Sequence, residues 1–304
     1  MSSLLLLFST NLLPILITAG LGFIVSKTID LDPKTVSRVT FYLFSPALVF
    51  SILSTNSLDS TAIVQMVGFA FTANVAIGLM SFFLAKAFGL TRKLIIAVVL
   101  TTFLTNAGNY GLSLNQFAFG EQALAFASIY FVCSSIMVYT LGVAIASLGQ
   151  ADWKESLLNL LKFPTMYALV LAILFNRTGW ELPLPLARSI TQLGNAAIPA
   201  MLILLGMQLG DSKLNNHKGP LALAVGIRLV LSPFLAIGLS KPFHLEGPAL
   251  QAGVTESSMP TAVMTTILAT EFDVEPALVS TIVTVTTILS PLTLTPLLAF
   301  LGGG

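Results

Sequence analysis

The sequence predicts an all-α integral membrane protein of ten transmembrane helices, built as two inverted five-helix repeats with broken, crossing helices 4 and 9. Composition, uncharged runs of span length and a self-similarity at near-constant offset support this reading. Hydrophobic residues make up 55% of the 304 and charged residues 9%, with a mean hydropathy of +0.92, whereas soluble chains carry about 25% charge. A net charge of +1 offers no basic field for nucleic acid. The single cysteine, Cys133, excludes an intrachain disulfide, has no partners for a thiolate metal site and is expected to be an ordinary buried residue.

A helix needs about 20 apolar residues to cross the hydrocarbon core, where each backbone group must be bonded internally. Uncharged runs of that order occupy residues 4–25, 39–58, 61–85, 94–120, 122–151, 189–210 and 276–301. The first lacks a basic flank and runs too long for a cleaved leader, so it is expected to be span 1. Three further spans, 156–176, 221–240 and 247–270, each hold one charge, at Lys162, Arg228 and Glu256. Ten of the fourteen Lys and Arg residues fall in loops after spans 1, 3, 5 and 7, including Lys27, Lys34, Arg38, Lys154, Lys162 and Lys213. Basic loops stay cytoplasmic, which places both termini outside an inner (cytoplasmic) membrane.

The repeat shows in matched motifs. Asn11-Leu12-Leu13-Pro14 echoes Asn159-Leu160-Leu161-Lys162-Phe163-Pro164, Pro46-Ala47-Leu48 echoes Pro199-Ala200-Met201, and Phe119-Gly120-Glu121 echoes Phe272-Asp273-Val274-Glu275. The offsets cluster near 150 residues, dividing the chain into 1–151 and 152–304. Because five spans is an odd number, the second unit enters inverted, as in many secondary transporters. Pro46 and Pro199 fall at matching places and are expected to kink or hinge spans 2 and 7.

Span 4 contains Thr105-Asn106-Ala107-Gly108-Asn109-Tyr110-Gly111, a poor helix interior in lipid. At the corresponding place in span 9 stands Glu256-Ser257-Ser258-Met259-Pro260-Thr261, where Pro260 removes an amide hydrogen. Paired interruptions in inverted halves point to a binding site, because half-helix amino ends attract anions. The site is therefore placed on Asn106, Gly108, Asn109 and Gly111 of span 4 and on Ser257, Ser258, Met259, Pro260 and Thr261 of span 9. A competing reading gives Gly108 and Gly111 to close packing and Pro260 to a tolerated kink.

Glu256, near the bilayer midplane, is the candidate for proton or cation coupling, with a structural hydrogen-bonded glutamate as the alternative. Arg228 is expected to neutralise an anion, pair with Glu256 or snorkel to the interface. Asn74, Gln65, Asn115, Asn195 and Gln208 are read as interhelical packing amides, and His217 and His244 receive no role.

With ten spans in two inverted sets, Asn106-Ala107-Gly108-Asn109-Tyr110-Gly111-Leu112 and Ser258-Met259-Pro260-Thr261-Ala262 resemble the auxin efflux carrier family over the whole chain. That family includes plant PIN-type auxin carriers and bacterial permeases linked to small carboxylates such as malate and malonate, and its fold resembles that of the bile acid/sodium symporters. The resemblance implies a scaffold of spans 1, 2, 6 and 7 and a transport part of spans 3–5 and 8–10. It also implies elevator-like alternating access and carboxylate contacts at Asn106 or Asn109. The plant carriers have a proline on both broken helices, and here only span 9 does, at Pro260. Glu256 followed by Met259 looks like a cation-coordinating stretch of the sodium symporters, with Pro260-Thr261 in place of a glutamine-asparagine pair.

The expectation is a non-enzymatic permease for a small organic anion, with no metal or other cofactor, coupled to H+ or Na+, and a homodimer through the scaffold helices. A channel or sensor subunit and an intramembrane enzyme are the alternatives. No loop is long enough for a signalling domain, and no intramembrane histidine, serine–lysine pair or aspartate pair supports catalysis.

Overall fold

A computed structural model describes residues 2–29, 31–56, 58–147, 163–210 and 217–302, which are helical apart from short connections. In chain order the helices are α1 (Leu4–Thr28), α2 (Pro33–Thr55), α3 (Ser60–Ala87), α4 (Arg92–Phe103) and α5 (Ala107–Ala146). They continue as α6 (Pro164–Thr178), α7 (Leu184–Gly210), α8 (Lys218–Ser240), α9 (Gly247–Ser257), α10 (Met264–Glu271) and α11 (Pro276–Phe300). Seven of these, namely α1, α2, α3, α5, α7, α8 and α11, are long and apolar enough to cross a membrane. Large apolar side chains such as Leu5, Val64, Phe83, Phe234 and Leu292 stand exposed on their outer faces. That arrangement suits lipid as the surrounding solvent.

Several boundaries differ from the sequence reading for local reasons. The helix of span 2 starts at Pro33, capped by Asp32, whose side chain accepts from the Lys34 amide, so Lys34 and Arg38 lie on the helix rather than in a loop. The boundary expected between spans 94–120 and 122–151 coincides with a break in helical geometry at Gly120, but the first span has a further break. The first breaks after Phe103, and its second half joins span 5 in α5, interrupted at Gly120 (φ 78°, ψ −166°). Lys154, Lys162, Lys213, the first residues of span 6 and the Asn159–Lys162 echo lie outside the described residues.

Prolines reshape the long helices in a regular way. The amides of Leu13, Ser45 and Ser232 donate to the carbonyls of Phe8, Thr40 and Ile227, five residues back, and each is followed by a proline: Pro14, Pro46 and Pro233. A proline supplies no amide hydrogen and pushes away the carbonyl four residues earlier, so the helix widens into a π-turn just before it. Ser45 and Ser232 Oγ donate to the same widened carbonyls at 2.9 Å. Pro46 thus acts by widening its helix. Pro199 lies inside a continuous α7 without such a turn.

Helix pairs approach closely where side chains are missing. A methyl group at Gly206 of α7 would overlap the Ala19 carbonyl of α1, and one at Gly22 of α1 would overlap the Ile203 carbonyl of α7. Backbones therefore touch directly, as small residues permit in membranes. Lys27 Nζ donates to Gly210 O at 2.6 Å at one end of this pair. On the neighbouring helices Lys93, at the start of α4, pairs with Asp273 beyond α10 at 2.8 Å.

Candidate functional site

The site begins with two broken helices that lean on each other. α4 ends at Phe103 and α9 at Ser257, and neither chain resumes a helix for several residues. Between them Thr105 and Thr261 form an antiparallel bridge, in which the Asn106 amide donates to Pro260 O at 2.8 Å and the Ala262 amide to Leu104 O at 2.9 Å. Thr261 adds its hydroxyl to Thr101 O at 2.8 Å and receives Thr286 Oγ1 as acceptor for its amide at 3.3 Å. Non-helical backbone inside a membrane has to be satisfied by protein, and here the two interruptions satisfy each other. Pro260 fits because only its carbonyl is needed.

Arg228, on the π-turn of α8, is fully buried and reaches both broken helices. Its Nη1 donates to Thr102 O at 2.6 Å and its Nη2 to Ser257 O. It does not snorkel, and among the described residues it makes no ion pair with Glu256. Glu256 instead accepts from Asn115 Nδ2 at 3.0 Å, and the same amide donates to Gly111 O at 2.9 Å. Glu256 Oε2 and Asn115 Oδ1 are buried with no hydrogen-bond partner. A methyl group at Gly111 would collide with this carboxylate, so the glycine leaves room for Glu256. Ser257 joins a further network, its Oγ 3.1 Å from Tyr130 OH, which also accepts from Asn74 Nδ2 at 2.9 Å.

One face of the crossing borders a cavity of about 60 Å³. Thr105, Asn106, Gly108 and Asn109 line it from the start of α5, and Ala262, Val263 and Met264 from the start of α10. Phe41, Phe131, Tyr139 and Phe163 supply aromatic walls, and Gln208 reaches in from α7. Three amide atoms stand there buried without partners: Asn106 Nδ2, Asn109 Oδ1 and Gln208 Oε1. Among the described residues no charged side chain lines this cavity.

A wider vestibule of about 500 Å³ adjoins it, sharing Phe41, Tyr139, Gln208, Val263 and Met264. Its mouth carries Asp32, Lys34 and Arg38. The Asp32 carboxyl lies below the ordinary range because the Lys34 amide and Thr35 hydroxyl donate to it. At the far end of α2, Asn176 Nδ2 donates to Ser54 O at 3.2 Å and Asn56 O at 3.0 Å, and Arg177 bonds Ser60 Oγ. The void there measures about 10 Å³.

Of the residues singled out in the sequence, Asn106, Gly108 and Asn109 line the cavity. Gly111, Glu256, Ser257, Ser258, Met259, Pro260 and Thr261 lie in the crossing behind it. Sequence reasoning missed the four aromatic walls, which look like any core aromatic. Asn115, read as an interhelical amide, does bond across helices, to Glu256, while Gln208, given to packing, lines the cavity. Cys133 is partly buried, its Sγ 3.8 Å from Val67 O.

A profile of the family described as "Membrane transport protein" matches residues 7–156 and 150–298. An "Uncharacterized transporter" of Methanothermobacter thermautotrophicus is 27% identical over 285 residues, covering 92% of this chain and 94% of its own length. A "Putative malonate transporter" of Rhizobium meliloti is 26% identical over 300 residues, covering 93% of this chain and 92% of its own. "Auxin efflux carrier component 8" of Arabidopsis thaliana is 22% identical over 147 residues, 48% of this chain and 40% of its own.

Proposed function

Because this chain belongs to the membrane transport protein family, with auxin efflux carriers among its relatives, we propose that it is a secondary permease for a small organic anion, a carboxylate, bound at the crossing. It works by elevator-like alternating access across the cytoplasmic membrane, with both termini outside. Its ten crossings form two inverted five-helix repeats, α1, α2, α6 and α7 serve as scaffold, and the scaffold helices pair two copies. The observation that carries the reading is the crossing itself, where the amino ends of α5 and α10 border one cavity that Asn109 and Asn106, with an unpartnered Nδ2 donor, also line. Amino ends hold several free amides and partial positive charge, which favour a carboxylate. The relative described as a malonate transporter supports the same ligand class.

Coupling is assigned to Glu256, whose Oε2 and neighbouring Asn115 Oδ1 offer two buried acceptor oxygens to a proton or Na+. A buried carboxylate with a free oxygen is costly unless such a partner arrives.

The test is thermal stabilisation of the purified chain by a panel of small carboxylates, with and without Na+ and at two pH values, since a ligand of the folded state raises its apparent stability. A carboxylate shift that Asn109→Ala abolishes and Asn195→Ala leaves intact is expected. Stabilisation by neutral or cationic solutes alone would overturn the ligand class. Glu256→Gln is expected to remove the Na+ or pH dependence of transport, and unchanged dependence with full activity would return Glu256 to structure.

A further inference from the structure

Four helix ends meet at the crossing, and they are not alike. The carboxyl ends of α4 and α9 each carry about half a negative charge, and the amino ends of α5 and α10 about half a positive one. Left together, the four would nearly cancel. The cavity, however, is bordered by the amino ends, through Thr105–Asn109 and Ala262–Met264, while Thr102 and Ser257 lie outside its lining.

Arg228 sits at those excluded ends. One guanidinium donates to Thr102 in the last turn of α4 and to Ser257, the last residue of α9. It is fully buried and has no carboxylate partner among the described residues. Its unit charge therefore faces two half-charges of opposite sign, an approximate match. The planar fork of arginine reaches both carbonyls at once, and the charge it places between them is what opposes the two carboxyl ends.

We infer that Arg228 is a positioning residue that makes the crossing anion-selective without touching the ligand: it neutralises the carboxyl ends of α4 and α9, so that the cavity feels mainly the amino ends of α5 and α10. This rests on the anion reading above. Removing the guanidinium restores two partial negative charges near the cavity. At an effective dielectric of about 20 their effect on anion affinity is on the order of tenfold.

The experiment compares binding of malonate and of its neutral diamide, malonamide, to the purified full-length chain by calorimetry, in wild type, Arg228→Gln and Arg228→Lys. Wild type is expected to prefer malonate. Arg228→Gln should lose on the order of tenfold in malonate affinity with malonamide unchanged, and Arg228→Lys, which keeps the charge, should recover most of the preference. Equal weakening of both ligands, or an intact preference in folded Arg228→Gln, overturns the inference and leaves the anion reading standing. If Arg228→Gln does not fold, a folded Arg228→Lys that has lost the preference overturns it equally. A wild type that takes malonate no better than malonamide defeats the anion reading itself.

Discussion

Gly111 and Glu256 illustrate how much of the site is a matter of single side-chain volumes. The carboxylate of Glu256 occupies the place where a side chain at position 111 would begin. Gly111→Ala is therefore expected to destabilise the protein by roughly 1–3 kcal/mol through overpacking, read as a lower melting temperature in detergent. In a Glu256→Ala background the same substitution should cost much less, giving a coupling of about 0.5–3 kcal/mol in the double-mutant cycle. Additive effects would mean that the two positions do not share space. The sequence showed both residues as anomalies, a glycine and a carboxylate in apolar runs, and so placed them at the site. It could not show their pairing across 145 positions, because no periodicity links residues on different helices. Asn115 is the sharper case, an amide indistinguishable in sequence from Asn74 until its contact with Glu256 is seen.

Helices α4, α5, α9 and α10 owe their ends to different chemistry, and substitutions separate the causes. Gly120 interrupts α5 at φ 78° and ψ −166°, a region open essentially to glycine alone. Gly120→Ala should lower stability by roughly 1–3 kcal/mol, whereas Gly238→Ala, on the exposed face of α8 with nothing near its added methyl, should leave it unchanged or raise it by up to about 1 kcal/mol. Equal melting temperatures for the two variants would count against the interruption. Asp273 holds the start of α4 through Lys93, and that pairing keeps its carboxyl below the ordinary range. A group depressed on folding contributes above its unfolded value, about 3.9 for Asp, and loses that contribution as pH falls through the folded value. The gap between wild type and Asp273→Asn should thus be seen at neutral pH and low salt, shrink with added salt, and vanish in acid. A gap that persists in acid would assign Asp273 another role. Long spans were legible because twenty uncharged residues admit few other readings, and the breaks were legible from Pro260 and the Asn–Gly cluster. The π-turns were not, although Pro14, Pro46 and Pro233 mark three of the five among the described residues, because a proline in a membrane helix is equally consistent with a kink.

At the scale of the whole molecule, the described residues leave a wide vestibule at one end of α2 and a small void at the other. α2 is 23 residues long, about 35 Å of helix at 1.5 Å per residue, so its ends stand on opposite sides. Lys34 and Arg38 near its start line the vestibule that leads to the crossing, while beyond its last turn Asn56 is tied to Asn176 over a void of about 10 Å³. If basic loops face the cytoplasm, the vestibule admits cytoplasmic water and the Asn176 side faces out. Cysteine accessibility tests this in a Cys133→Ser background. Thr284→Cys, in the vestibule wall, should react with a membrane-impermeant maleimide in inside-out vesicles and be protected in intact cells, whereas Trp180→Cys, exposed just past α6, should show the reverse. The opposite pattern at both positions would invert the orientation and leave the vestibule and the small void at opposite ends of α2. Silence of Thr284→Cys from both sides, with Trp180→Cys still reactive, would instead mean that the vestibule is closed in the membrane, and the route to the crossing would have to lie elsewhere.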